Sequence, residues 1–176
     1  MDPGRVDLVI EDCLLRIVEA LGLDRSTLFL RSDDDLVVTH SWAAPGFDPF
    51  PKASGRDQLP WCYARVMSGE RVVFSRIDDL PEEAAIDKAV MRRVGPVSNA
   101  TFPLVVGDQV LGVLAFGSMR TERSWSPTVL DRLHSVAHMV AGVLARKHAD
   151  KLLRAALAEV GELRERLELR LKGNPQ

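Results

Sequence analysis

The stretch TFPLVVGDQVLGVLAFGS, Thr101 to Ser118, constrains the fold more than any other part of the chain. It reads as two strands joined at Gly107 and Asp108, the two-residue connection that a twisted hairpin prefers. A hairpin lying on a surface alternates, apolar inward and polar outward, whereas this one is apolar at nearly every position. Both of its faces must therefore be covered, and the rest of the chain has to supply two layers. Gly112, in the second strand, is costly there by propensity and marks a bulge or a close approach by another backbone or a ligand.

The first layer is helical. Val6, Val9, Ile10, Cys13, Leu14, Ile17 and Leu21 recur at helical steps, and Gly22 ends the run. At the other end, Ser126 and Pro127 open a helix with N-cap chemistry. Its pattern runs past Gly161 to about Lys172, which predicts a rod on the order of 65–70 Å. Leu153, Leu157, Val160, Leu163, Leu167 and Leu171 follow a coiled-coil spacing that needs a partner helix. The first helix and the start of the last are expected to pack together on one face of the sheet.

The second layer comes from the middle of the chain. Two short strands, TLFLR and LVVTHSW, flank a polar turn, and a Pro- and Gly-rich loop follows over 43–57. A short helix, QLPWCYARVMSGE, precedes the strand RVVFSRI. A further helix has Pro81 in its first turn and Gly95 and Pro96 as its stop. A middle region of this length is expected to fold over the other sheet face and to carry function. The fold class is thus α+β, with a mainly antiparallel sheet of about five to six strands between the two layers. The division expected is a domain over 1–149, a helical extension over 150–172 and a disordered tail over 173–176.

Composition removes several classes of function. With 46% hydrophobic and 27% charged residues the chain is ordinary globular material. A net charge of −2 with interleaved signs provides neither a nucleic-acid stripe nor a basic membrane patch. No apolar run approaches membrane-spanning length, and the N-terminus lacks a secretory pattern. Cys13 and Cys62 read as free thiols, so a cytoplasmic protein is expected.

Three segments carry a family resemblance: LPWCYARVMSGERVVFSRIDDLPEEA, RRVGPVSNATFPLVVGDQVLGVLAFGS and RSWSPTVLDRLHSVAHMVAGVLARKHADKLL. Over about residues 5–148 the chain resembles the GAF domain, a small-molecule sensing module of bacterial signalling proteins. It is similar to those in front of sensor histidine kinase cores and sigma-54-dependent activators. The resemblance implies a dimer through the terminal helices, a ligand pocket on the opposite sheet face and a signalling helix leading to an output domain that this sequence does not contain. It implies a sensor and not an enzyme. Bilin-binding relatives carry a Cys-His pair where Ile86 and Asp87 stand here, which excludes covalent bilin attachment. The cyclic-nucleotide pattern Asn-Lys-Phe-Asp-Glu is absent. Reductases of methionine sulfoxide in this family use several cysteines, whereas here Cys13 is expected in the helical core, away from Cys62.

The expected ligand face carries Trp42, Trp61, Tyr63 and Phe74, aromatics that suit stacking on a planar ligand or filling core. His40, Asn99 and Thr101 add polar groups. Asn99, Thr101 and Pro103 alternate with Ala100, Phe102 and Leu104, so the polar set faces away from the helices. Buried polar groups need partners, which a ligand, water or backbone can supply. No cofactor or metal is expected: His134 and His138 share a helix face without a third ligand, and Asp33–Asp35 lack the spacing of a calcium loop. The expected function is binding of a small effector and transmission through a homodimer. A ligand-free dimerisation module is the alternative, and a thiol-dependent reductase using Cys62 a more distant one.

Overall fold

The structure, a computed structural model, describes residues 3–172 and the side chains of 8–169. The side chains of Val6 and Leu171, and the tail expected over 173–176, lie outside the described residues. The chain forms two compact units, Met1–Gly142 and Val143–Gln176.

In the first unit a helix, α1 (Pro3–Leu21), leads into a sheet of five strands. These are β1 (Arg25–Ser32), β2 (Asp35–Ala43), β3 (Val72–Phe74), β4 (Ser98–Val106) and β5 (Gln109–Ser118). Their order is β2-β1-β5-β4-β3, and every neighbouring pair is antiparallel. The hairpin Thr101–Ser118 therefore lies inside the sheet, as its two apolar faces require. Gly107 has φ +59° and takes the first turn position, while Asp108 keeps a negative φ. Gly112 meets both expectations. The register slips beside it, between Leu104 and Val105, and a Cβ on it would collide with the carbonyl oxygen of Phe29 on β1.

The connection between β2 and β3 holds α2 (Gly55–Gln58) and α3 (Pro60–Met67). The segment read from sequence as one helix with Pro81 in its first turn divides into two 3-10 turns, Ile77–Asp79 and Glu82–Ala84, before α4 (Ala85–Val94). Pro81 explains the break. It sits extended at ψ 168° ahead of the second turn, and α4 begins four residues beyond it. Gly95 closes α4 at φ +97°.

The sheet separates two cores. On one side Leu28, Ala100, Phe102, Leu104, Leu114 and Phe116 are all fully buried, as are Leu14, Val18 and Leu133 of the terminal helices. Helix α1 lies against β1 and β2, and His134 of α5 (Pro127–Lys172) stacks at 6.1 Å from Phe102. The other core joins Phe29, Phe50, Leu59, Cys62, Val66, Phe74, Met91 and Val113 across α3, α4 and the sheet.

The face of α1 differs from the expected one. Ile10, Leu14 and Val18 are buried, whereas Val9 is 55% exposed and Cys13 is exposed rather than in the helical core. Two apolar stripes share this helix, and only the one leaning on the sheet is covered.

The second unit continues α5 to Lys172, and its described side chains from 151 to 169 are all exposed, Leu153, Leu157, Val160, Leu163 and Leu167 among them. Gly142 and Gly161 both lie within α5. No helix among the described residues is long and apolar enough to cross a membrane.

Candidate functional site

Alternate residues of the central strands form a floor facing α2, α3 and α4. Cross-strand pairing sets them in rows: Arg25, Gly117 and Asn99, then Thr27, Ala115 and Thr101, then Phe29 and Val113. Along β5 this face shrinks from Val113 to Ala115 to Gly117, while the opposite face of the same strand carries Leu114 and Phe116. The missing side-chain volume leaves a cavity of about 50 Å³. Leu36, Phe50 and Gly55 wall it, and Leu59, Cys62, Tyr63, Val66 and Met91 close over it.

The lining is apolar except for a few groups on the floor. Arg25 is 4% exposed, and its Nη1 donates to the carbonyl oxygen of Val94 at 2.9 Å. Its guanidinium carbon lies 5.1 Å from the centre of the Phe50 ring. Burial lowers its pKa to about 10, which still leaves it a cation at neutral pH. Asn99 donates from Nδ2 to Thr101 Oγ1 at 2.7 Å, and Thr27 Oγ1 shares a proton contact with Ser41 Oγ at 3.0 Å. Tyr63 sends its hydroxyl to the carbonyl oxygen of Asp34 at 2.7 Å. The Cys62 thiol is pushed up, first by burial and then by the neighbouring Asp87 carboxylate, which disfavours the thiolate.

Asp87 supports the lid of this cavity. It is fully buried on α4, and its two oxygens accept from the amides of Trp61 at 3.1 Å and Cys62 at 2.8 Å. Helix α3 begins after Leu59, which has no side-chain acceptor to offer. Asp87 supplies that cap from another helix, and the free amides satisfy its charge in return.

Of the residues singled out in the sequence, Tyr63, Asn99 and Thr101 line the cavity. His40 and Trp42 lie elsewhere. They pair with Leu28 and Ser26, whose side chains point to the helical face. The strand pattern alone does not reveal this, because β2 carries a bulge opposite Leu28 and Phe29 that shifts its alternation. Trp61 packs against the outer part of the same core, with Arg65 5.3 Å above its ring. Phe74 is buried core on the edge strand β3, and its carbonyl accepts Trp125 Nε1 at 3.0 Å. Arg25, Thr27, Phe50, Ala115 and Gly117 are lining residues that sequence reading missed. The available signal was the alternation Arg25, Thr27, Phe29, hidden because the strand reads naturally from Thr27. Among the described residues no three His, Cys, Asp or Glu side chains cluster to hold a metal ion.

Comparison with known proteins agrees with this architecture. Residues 6–144 match the family model of the GAF domain. No curated protein matches the sequence. The blue-light-absorbing form of the PixJ GAF domain from Thermosynechococcus elongatus superposes with a TM-score of 0.66 at 22% identity, covering 85% of this chain and 90% of that one. A protein in its far-red-absorbing dark state with bound biliverdin gives 0.64 at 15% identity, with coverages of 76% and 85%. A domain ascribed to a two-component sensor histidine kinase of Sinorhizobium meliloti gives 0.66 at 16%, with coverages of 85% and 97%. At these identities the likeness is one of fold.

Proposed function

The chain belongs to the GAF domain family, and from that premise we propose that it is the sensory part of a bacterial signalling protein, binding a small effector in the cavity above Gly117. The observation that carries the reading is the floor of that cavity. Arg25, Asn99 and Thr101 are buried polar residues beside a void, on strands whose other face is sealed with Leu and Phe. A fold needing only a core has no use for them.

One structural relative holds biliverdin. The effector here is far smaller than a tetrapyrrole: the cavity is about 50 Å³, and the family resemblance places no Cys-His pair near Ile86 and Asp87. Asp87 is also committed to capping α3. Transmission runs through a homodimer. Val9 and Met139 expose apolar side chains at 55% and 64%, and Leu153, Leu157, Val160, Leu163 and Leu167 on the continuation of α5 are each more than half exposed. A second copy would cover these stripes, and an effector would act by favouring one arrangement of the paired helices over another.

Native mass spectrometry of the freshly purified chain tests both halves. The expected result is a dimer carrying a small non-covalent mass that denaturation releases. A monomer at high concentration removes the transmission half. An empty dimer whose melting temperature no small metabolite shifts establishes the ligand-free dimerisation module instead.

A further inference from the structure

From Arg25 we infer the chemical class of the effector: a short-chain monocarboxylate, its carboxylate against the Arg25 guanidinium and its alkyl group among Phe29, Leu36, Leu59 and Val113. The inference rests on the reading of the cavity as an effector site. Arg25 is a buried cation lining a void. Its guanidinium spends one donor on Val94 and stacks near Phe50, which leaves most of its N–H groups unused. No carboxylate pairs with it among the described residues, and burial alone accounts for its lowered pKa, with no acidic neighbour acting on it. The nearest acid in sequence, Asp24, is engaged elsewhere, accepting from the amides of Met119 and Arg120 and pairing with the Arg120 side chain.

A buried charge without a counterion is costly, and its removal in favour of an apolar side chain is commonly neutral or stabilising. An anion arriving from outside would supply the counterion that the fold does not. The guanidinium fork matches a planar carboxylate in two parallel hydrogen bonds. Thr101 adds a second donor: its Oγ1 accepts from Asn99 and keeps its own hydrogen to give. The rest of the lining is mostly aliphatic and aromatic and holds no second charged side chain, and Thr27, Asn99 and Tyr63 already have partners within the fold, so it suits an alkyl body. Size sets the chain length. The cavity of about 50 Å³ is a third of the roughly 150 Å³ that takes benzene, so it limits the ligand to very few heavy atoms, and propionate is the largest acid worth using as a probe.

Calorimetric titration of the whole chain with sodium propionate tests this, against propionamide as the uncharged isostere and sodium chloride and phosphate as inorganic anions. The expected result is a Kd on the order of 1 mM or tighter for propionate, with no heat from the other three. Arg25→Met is expected to weaken propionate at least tenfold while melting, without ligand, no lower than wild type. Should Arg25→Met fail to fold, Ala115→Leu serves: it keeps the arginine, fills the cavity and is expected to abolish propionate binding. Equal binding of phosphate or chloride, or propionate binding that survives Ala115→Leu, overturns the carboxylate assignment. Binding of propionamide in place of propionate also overturns it but leaves the cavity an effector site. A cavity that takes none of the probes, in a protein purified without any bound mass, defeats the effector reading itself.

Discussion

The two faces of β5 are built from alternate residues of one strand and do opposite things. Leu114 and Phe116 point to the terminal helices and are wholly buried against Phe102 and Leu28. Ala115 and Gly117, each one residue away, point to α3 and bound a void floored by Arg25, Thr27, Asn99 and Thr101. Strand pairing is common to both faces, so the contrast comes from side chains alone. One face carries the large apolar volume that stabilises the fold. The other gives up volume and buries polarity, at a cost that the first face offsets. The proposed site lies where the local choices depart from what packing would select.

The contrast predicts unequal responses. Phe102→Ala removes a fully buried ring from the sealed face, beside Phe116 and His134. It should cost about 3–5 kcal/mol and lower the melting temperature by about 10 °C, with ligand affinity unchanged in whatever folded protein remains. A loss under about 1 kcal/mol would mean that the helical face is as loosely packed as the other, and the contrast would disappear. Asp87→Ala tests the roof. It strands the amides of Trp61 and Cys62 and should cost about 1–3 kcal/mol. Because α3 covers the cavity, this variant should also lose protection from hydrogen exchange locally, at residues 61–66, before the rest of the domain.

How much of this was legible in the sequence depended on the range of the information. The hairpin at Gly107, the stop at Gly95 and the opening of the last helix at Ser126 and Pro127 are local signals, and the structure has all three. So is the alternation of Asn99 and Thr101 against Phe102 and Leu104, which sorts β4 correctly between its faces. The misplacement of His40 and Trp42 arose from a bulge in the β1–β2 pairing that no residue in β2 announces. Arg25 was missed for a related reason. A cation at the first position of a strand reads as the end of a loop, and only its pairing with Gly117 shows that it faces inward. Asp87 was legible as a helix residue. Its role as the cap of another helix, twenty-six positions from Trp61, exists only in the folded chain. On α1 two apolar stripes compete, and sequence cannot say which one the sheet covers.

The thiols extend the comparison to chemistry. Cys62 lies in the roof with its pKa raised, while Cys13 is exposed on α1. Titration of the native protein with an aromatic disulfide at pH 8 should therefore leave Cys62 unreactive until denaturation, while Cys13, on the stripe with Val9 that a second copy would cover, should react faster as the protein is diluted towards monomer. Cys62 also contributes to the pH dependence of stability. Its folded pKa lies above the unfolded value, so its contribution is complete below the ordinary thiol range and declines as pH rises through about 9 and beyond. Cys62→Ala should flatten that alkaline decline in chemical denaturation curves. A fast-reacting Cys62 would reverse the assignment and revive a thiol enzyme.

A pair of glycines separates the two faces most cleanly, because one substitution is used twice on one strand and the smaller of its two effects is the informative one. Gly112 lies on the sealed side, where a Cβ would run into the carbonyl oxygen of Phe29 and stand 3.0 Å from Leu30 Cδ2. A backbone carbonyl held in a sheet cannot step aside, so Gly112→Ala should cost about 1–3 kcal/mol. Gly117 lies on the cavity side, where a Cβ would meet Pro96 Cβ at 3.4 Å and Asn99 Oδ1 at 3.5 Å, both ordinary contacts. Neither glycine has a positive φ, so backbone freedom does not distinguish them. Gly117→Ala restricts the unfolded chain without a clash and should be neutral or stabilising by up to about 1 kcal/mol. It also places a methyl group between Arg25 and Asn99 and should weaken whatever binds there. Opposite signs in paired urea melts would show that packing limits one face while the other retains space for a ligand. Equal losses at both positions would mean that the space above Gly117 is already filled by its neighbours, and the cavity would cease to be a site.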